Sequence, residues 1–382
     1  MNDPILSRRR FLQRMLLGSA ALSSGLLAPG RSLLAAPAPV PRTLVNIMLY
    51  GGADLRFVLA PDPLSADPLY IDQYWQARQR LYGNYASYGD MYAAEYTTVS
   101  SGINFGIHNS CGWLIEQFNF GNASIIANTY GSLNRAHDFS QLIVQAGDLQ
   151  AERTYIDRDG WGGRAVEQLS GAPNVLELSN GVQTFCKGTD PNFRLKQVIH
   201  AQNMRDMGLP QASASGTGSD DNLIRALTAY YNARGPEVEA EKPANWPFRK
   251  IFQHHASISA FGAAIAAELE SQPLPPALAN LALNSNSFEQ QCRNLYDACQ
   301  TAGILNYRLM SMSYGGWDTH TGQTGRIVSN LNDVLGSTGG LAIAHNELST
   351  QARDNLVYHL SWDFGRQLAA NGSNGTDHAG GA

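Results

Sequence analysis

Four short stretches carry side chains able to grip a cation or move a proton. Gly51-Gly52-Ala53-Asp54 offers one carboxylate, and Gly316-Trp317-Asp318-Thr319-His320 an Asp-x-His pair. Trp362-Asp363-Phe364-Gly365-Arg366 supplies a carboxylate with a guanidinium, and Gly375-Thr376-Asp377-His378 an adjacent Asp-His pair. Asp with His is the donor set of zinc or another divalent cation of similar softness. The glycines beside them let the backbone turn sharply and approach a ligand closely. Taken singly, each stretch is ordinary, because an Asp after a glycine pair is commonly a turn or a helix cap. Shared chemistry requires that separate elements deliver them to one place. A kinase reading of Asp363-Phe364-Gly365 fails, since the chain has no glycine-rich nucleotide loop before a strand lysine and no His-Arg-Asp loop.

Those elements are legible as alternating patterns. Leu44 to Tyr50 is an aliphatic run that stops at Gly51-Gly52 and reads as a buried first strand. Similar runs at Ala123–Asn128, Asn174–Leu178, Tyr307–Ser313 and Leu356–Ser361 predict further strands. Helical patterns cover Gly112–Asn119, Trp161–Leu169, Asp220–Asn232, Pro247–Gln272, Ser285–Ala302 and Gly325–Gln351. Strand alternating with helix predicts an α/β fold, a mostly parallel sheet flanked by helices. The segment of about 203–300 has no convincing strand and is expected to be a helical insertion. In such sheets ligands bind beyond the carboxyl ends of strands, where the Asp- and His-bearing stretches fall.

The chain has 382 residues with 43% hydrophobic and 15% charged, the composition of a folded globular protein. Its formal charge is −5, yet residues 1–36 hold five arginines against the single acid Asp3. The remainder carries 22 basic and 31 acidic residues, which excludes nucleic acid as an expected partner because phosphate binding needs clustered Lys and Arg. Ser7-Arg8-Arg9-Arg10-Phe11-Leu12-Gln13 has the twin-arginine pattern and precedes an apolar stretch from Met15 to Ala28. That stretch is 14 residues, short of the ~20 needed to span a bilayer. Residues 1–36 therefore read as a cleaved export signal and 37–43 as a linker, with the export machinery as a partner, a periplasmic or secreted location and no stable membrane span. This route carries proteins already folded, often around a metal. Disulfides are permitted among Cys111, Cys186, Cys292 and Cys299 after export. Cys292 and Cys299 lie ~10 Å apart along one helix and cannot bridge each other there.

The four stretches occur in order with Asn128-Thr129-Tyr130-Gly131-Ser132, Arg135-Ala136-His137-Asp138-Phe139 and Gly160-Trp161-Gly162-Gly163-Arg164. Together with the export signal they resemble the twin-arginine-exported bacterial family known as domain of unknown function 1501, from about 44 to 378. That family is similar to the alkaline phosphatase and sulfatase superfamily. The resemblance implies an alkaline phosphatase-like domain over 44–382, truncated at its C-terminus, that hydrolyses phosphate or sulfate esters of a small molecule or polymer. It implies a divalent cofactor, zinc with calcium or manganese as alternatives, held by Asp54, Asp318, His320, Asp377 and His378. His137 would stand in the nucleophile region and Arg366 would fork onto a substrate oxyanion. Ala136 replaces the family's serine, leaving Ser132, or Ser140, as the candidate hydroxyl. A non-catalytic envelope or secretion-associated protein that keeps the fold is the alternative.

Overall fold

The apolar run after Arg42 lies at the heart of a sheet, between two strands that follow it by more than 250 residues in the chain. The computed structural model describes residues 42–382 except 65–67, 84, 101–103, 127–128, 130, 155–158, 172, 190–197, 208–217, 219–221, 224, 227–228, 231–232, 235–259, 283–287 and 380–382. The export signal and nearly all of the linker lie outside the described residues, as does most of the helix expected over Asp220–Asn232.

The strands are β1 (Thr43–Leu49), β2 (Leu59–Pro61), β3 (Tyr96–Ser100), β4 (Asn104–His108), β5 (Asn174–Glu177), β6 (Val198–His200), β7 (Tyr307–Tyr314), β8 (Leu356–Trp362), β9 (Gly365–Ala370) and β10 (Thr376–Ala379). Five form an all-parallel central sheet in the order β6-β5-β7-β1-β8. The remainder form a three-stranded antiparallel sheet, β2-β4-β3, and the β9-β10 hairpin. Flanking helices are α1 (Pro68–Arg78), α2 (Gly112–Asn119), α3 (His137–Ala146), α4 (Trp161–Glu167), α5 (Phe288–Gln300), α6 (Gln323–Leu335), α7 (Gly340–Glu347) and α8 (Thr350–Asp354).

Strand side chains alternate between faces, so a strand covered on both sides must be apolar nearly throughout. Val45, Ile47, Met310 and Met312 meet Cys292 and Leu295 of α5 and Ile327 and Leu331 of α6 in one core. Val175 and Leu309 meet Val166 of α4, with Phe185 and Cys186, on the other face. Full burial of an aliphatic side chain contributes about 1.5–3 kcal/mol, which is why β1 tolerates few polar residues. Its one amide, Asn46, accepts hydrogen bonds from His359 Nδ1 at 2.8 Å and Ser361 Oγ at 3.1 Å on β8.

Three expectations change. Residues 123–126 form no strand: Ile126 stands exposed at the surface, and only Ile125 reaches the core. The helical pattern of Gly325–Gln351 divides into α6, α7 and α8, because glycines at 336 and 339 interrupt it and the Ser349 side chain caps a new helix by accepting from Ala352 N. The segment of about 203–300 is not wholly an insertion, since α5 packs on the sheet and Gln291 exchanges hydrogen bonds with the Ser313 backbone at 2.8 and 2.9 Å. A strand, β6, precedes it, and the β9-β10 hairpin had no sequence signal. Among the described residues no helix is long and apolar enough to cross a membrane, and all four cysteines are free thiols.

Candidate metal centre

The loops that follow β1, β7 and β8 meet the β9-β10 hairpin beyond the carboxyl ends of the sheet. Gly51 makes the close approach possible: its φ is +117°, and a Cβ there would lie 2.4 Å from Asp318 N. With no side chain in the way, Gly51 N and Gly52 N both donate to the buried Asp363 carboxylate, at 3.2 and 2.6 Å to Oδ1. Arg366 from β9 ties the layers together. Its Nε donates to Gly52 O, its Nη1 to Thr376 O, and its Nη2 to Gly51 O, Trp317 O and Asp318 Oδ1, at 2.6 to 3.1 Å.

Three imidazoles converge on Asp318. His137, the first residue of α3, donates from Nδ1 to Asp363 Oδ2 at 2.7 Å. His378 on β10 donates from Nδ1 to the Arg135 carbonyl at 2.8 Å, and His320 donates from Nδ1 to Asp377 Oδ1 at 3.0 Å. An oxygen that only accepts places a ring proton on Nδ1, so in the neutral imidazole Nε2 carries the lone pair. Those lone pairs face other acceptors: His378 Nε2 lies 3.3 Å from Asp318 Oδ1, His137 Nε2 lies 3.5 Å from Asp318 Oδ2, and His320 Nε2 lies 2.8 Å from His378 Nε2. Lone pairs opposed at this range repel unless a proton or a cation stands between them. His137 Nε2 is buried and has no hydrogen-bond partner.

Donor atoms of His137, Asp318 and His378 all lie within 4.8 Å of one another. Around a tetrahedral zinc with bonds near 2.0–2.1 Å, donor atoms stand about 3.3 Å apart, which is the spacing seen from Asp318 to its two neighbours. Each of these imidazoles also has the oxygen partner on its far nitrogen that metal-binding histidines use to fix orientation. Burial raises the Asp318 carboxyl, but the hydrogen-bonded Arg366 guanidinium beside it overcomes this and holds it below the usual carboxylate range. Burial also holds the His378 imidazole below its ordinary value, keeping it neutral and able to ligate. The set therefore fits zinc or manganese, whereas its nitrogen donors disfavour calcium, which takes oxygen ligands.

No family model, curated protein or solved structure matches the chain. The site must be argued from its own geometry.

That geometry separates the expected residues. Asp318, His320, Asp377 and His378 come together, joined by His137. Asp54 stands apart from the cluster. Its carboxylate accepts from Arg78 Nη1 and Nη2 at 2.8 and 2.9 Å and from Gln323 Nε2 at 2.7 Å, all fully buried. It is a structural ion pair; burial pulls the Arg78 guanidinium down, and Asp54 beside it drives it up beyond its usual value. Asp377 orients His320 from the outer side, with Asn371 and His320 holding its carboxyl below the usual range. Arg366 has no surface exposure, and all its nitrogens are engaged, so it cannot fork onto a substrate. Ser132 is also fully buried, donating to Ser140 Oγ and accepting from Asn134 N. Ser140 is buried too, bonded to the Asn134 carbonyl. Neither can act as a nucleophile. Ala136 at the start of α3 provides no hydroxyl, and among the described residues no hydroxyl or thiol bonds to His137, Asp318, His320 or His378. Asp363, offered by the sequence as a carboxylate beside Arg366, enters the site as the acceptor of the His137 Nδ1 proton rather than among the converging donor atoms. Trp317 is buried packing, and His108 caps the turn after it by accepting from Ser110 N. His254 and His255 lie outside the described residues.

Proposed function

We propose that this chain is an exported, zinc-dependent hydrolase of phosphate or sulfate esters, built on an alkaline phosphatase-like sheet and working in the periplasm. The single observation that carries the reading is the convergence of three imidazole Nε2 atoms on Asp318, each ring oriented by an oxygen on its far nitrogen. His137, Asp318 and His378 would hold the ion. When bound, it would polarise an ester oxygen and withdraw the charge that builds in the transition state.

The protein's own groups do the rest. With no hydroxyl in the cluster among the described residues, water is the attacking group. His320, its Nδ1 tied to Asp377, presents Nε2 as the proton acceptor. As the water oxygen bonds to phosphorus or sulfur, the bond to the alcohol oxygen breaks, and His320 passes the proton to the departing alcohol. Arg366 and Asp363 keep Asp318 and His137 in register.

The test is metal analysis of protein purified from the periplasm, followed by assay on aryl phosphate and aryl sulfate esters. We expect about one zinc per chain, with Asp318→Ala abolishing both its retention and turnover. Protein without stoichiometric metal, or turnover unchanged in Asp318→Ala, would refute the reading. The missing hydroxyl also favours a second one, a metal-holding envelope protein without catalysis; zinc retained with no ester cleaved would decide for it.

A further inference from the structure

The expected oxyanion contact, Arg366, is spent inside the protein, so an anionic ester needs another cation at the centre. Arg135 is placed for it. Its backbone carbonyl accepts the His378 Nδ1 proton at 2.8 Å, which fixes the residue against the cluster, two positions before His137. Its side chain is exposed, and its guanidinium has no ion-pair or hydrogen-bond partner among the described residues. Two other arginines are committed: the exposed Arg153 pairs with Asp138 at 3.1 Å and the half-buried Arg164 with Asp159 at 2.7 Å.

Charge at the centre decides which substrate suits it. Asp318, Asp363 and Asp377 against Arg366 leave two negative charges, and a divalent cation brings the cluster to neutrality. Arg135 then adds one positive charge. A site with one net positive charge matches a monoanion, whereas a phosphate monoester carries close to two negative charges at neutral pH.

We infer that the Arg135 side chain binds a non-bridging oxygen of the substrate and that the substrate is a monoanionic ester, either a sulfate monoester or a phosphate diester. A guanidinium suits this because its planar fork matches the oxygen pair of such a group. The inference rests on the metal reading above, and it deepens that reading by assigning substrate charge.

Truncation at Arg135 removes the side chain and keeps the carbonyl that holds His378, so metal retention and anion binding can be read separately. Zinc binding is measured first by calorimetric titration of metal-free wild type and Arg135→Ala, then methyl sulfate binding to the zinc-loaded proteins by NMR. Turnover of 4-nitrophenyl sulfate, bis(4-nitrophenyl) phosphate and 4-nitrophenyl phosphate follows. We expect equal zinc affinity, methyl sulfate binding about tenfold weaker in Arg135→Ala, and partial recovery in Arg135→Lys. KM for whichever monoanionic ester is cleaved should rise about tenfold, and the two monoanions tell sulfate from diester. Unchanged methyl sulfate binding in zinc-loaded Arg135→Ala overturns the inference while leaving the metal centre standing. Preference of the wild type for 4-nitrophenyl phosphate also overturns it. Failure of zinc to bind overturns the metal reading and the inference together, visibly in the first titration. Zinc and Arg135-dependent anion binding without turnover refutes the hydrolase and with it the substrate assignment.

Discussion

Replacing Asp54 by Asn separates a structural ion pair from a metal ligand. In the wild type, Arg78 and Asp54 share two charge-assisted hydrogen bonds, and Gln323 adds a third, in a place closed to water. Neutralising Asp54 leaves the Arg78 guanidinium buried and unpaired, its Nε already without a partner. Removing one member of such a pair costs about 3–5 kcal/mol. With unfolding entropy near 2.1 cal/mol/K per residue, the ~340 residues of Thr43–Ala382 give about 0.7 kcal/mol/K, so Tm should fall by about 4–7 °C. Calorimetry of the metal-free protein reads that shift, and a zinc titration on the same sample should return wild-type stoichiometry. The double variant Asp54→Leu/Arg78→Met, which removes both charges, should recover much of the loss. If Asp54→Asn keeps its Tm within 1 °C and loses zinc, the carboxylate serves the metal and the structural argument is wrong.

Two further outcomes follow from the same contacts. Asp363→Asn puts an amide where His137 Nδ1 needs an acceptor, so zinc affinity should drop about 10- to 100-fold, measured by competition with a chelator; unchanged affinity would show that His137 needs no such support. Burial holds the His108 imidazole below its ordinary value, so unfolding takes up a proton once the pH falls below the unfolded value of about 6.5. Stability should therefore decline from about pH 6.5 toward the lower folded value, and His108→Gln should flatten that slope in denaturant melts; an identical slope in the variant would place the linkage elsewhere.

The sheet was legible because burial on both faces writes itself into β1, and largely into β5 and β7, as apolar runs, while the half-buried edge strand β8 shows a weaker one broken by His359 and Ser361. The hairpin was not: Gly365–Ala370 and Thr376–Ala379 are held by Arg366 and by turn contacts, with little apolar pattern to reveal them. For the site, Asp-x-His was informative because it lies just beyond the end of β7, while the Asp-His pair sits inside β10. Asp54 misled because it has the same sequence context, and only the distant Arg78 and Gln323 distinguish its role. Arg366 misled for a related reason. Nothing in the sequence tells a guanidinium aimed at substrate from one saturated by five protein oxygens.

The position of β1 sets a schedule for biosynthesis. It leaves the ribosome first among the strands, yet both of its neighbours, β7 and β8, come from the last quarter of the chain. At 5–20 residues per second, the interval is roughly 13–60 s. For that time an uncharged strand has both edges unsatisfied, which invites pairing with other nascent chains. A factor that shields the early segment until translation nears its end would raise the yield of native protein, and slowing elongation would lower it.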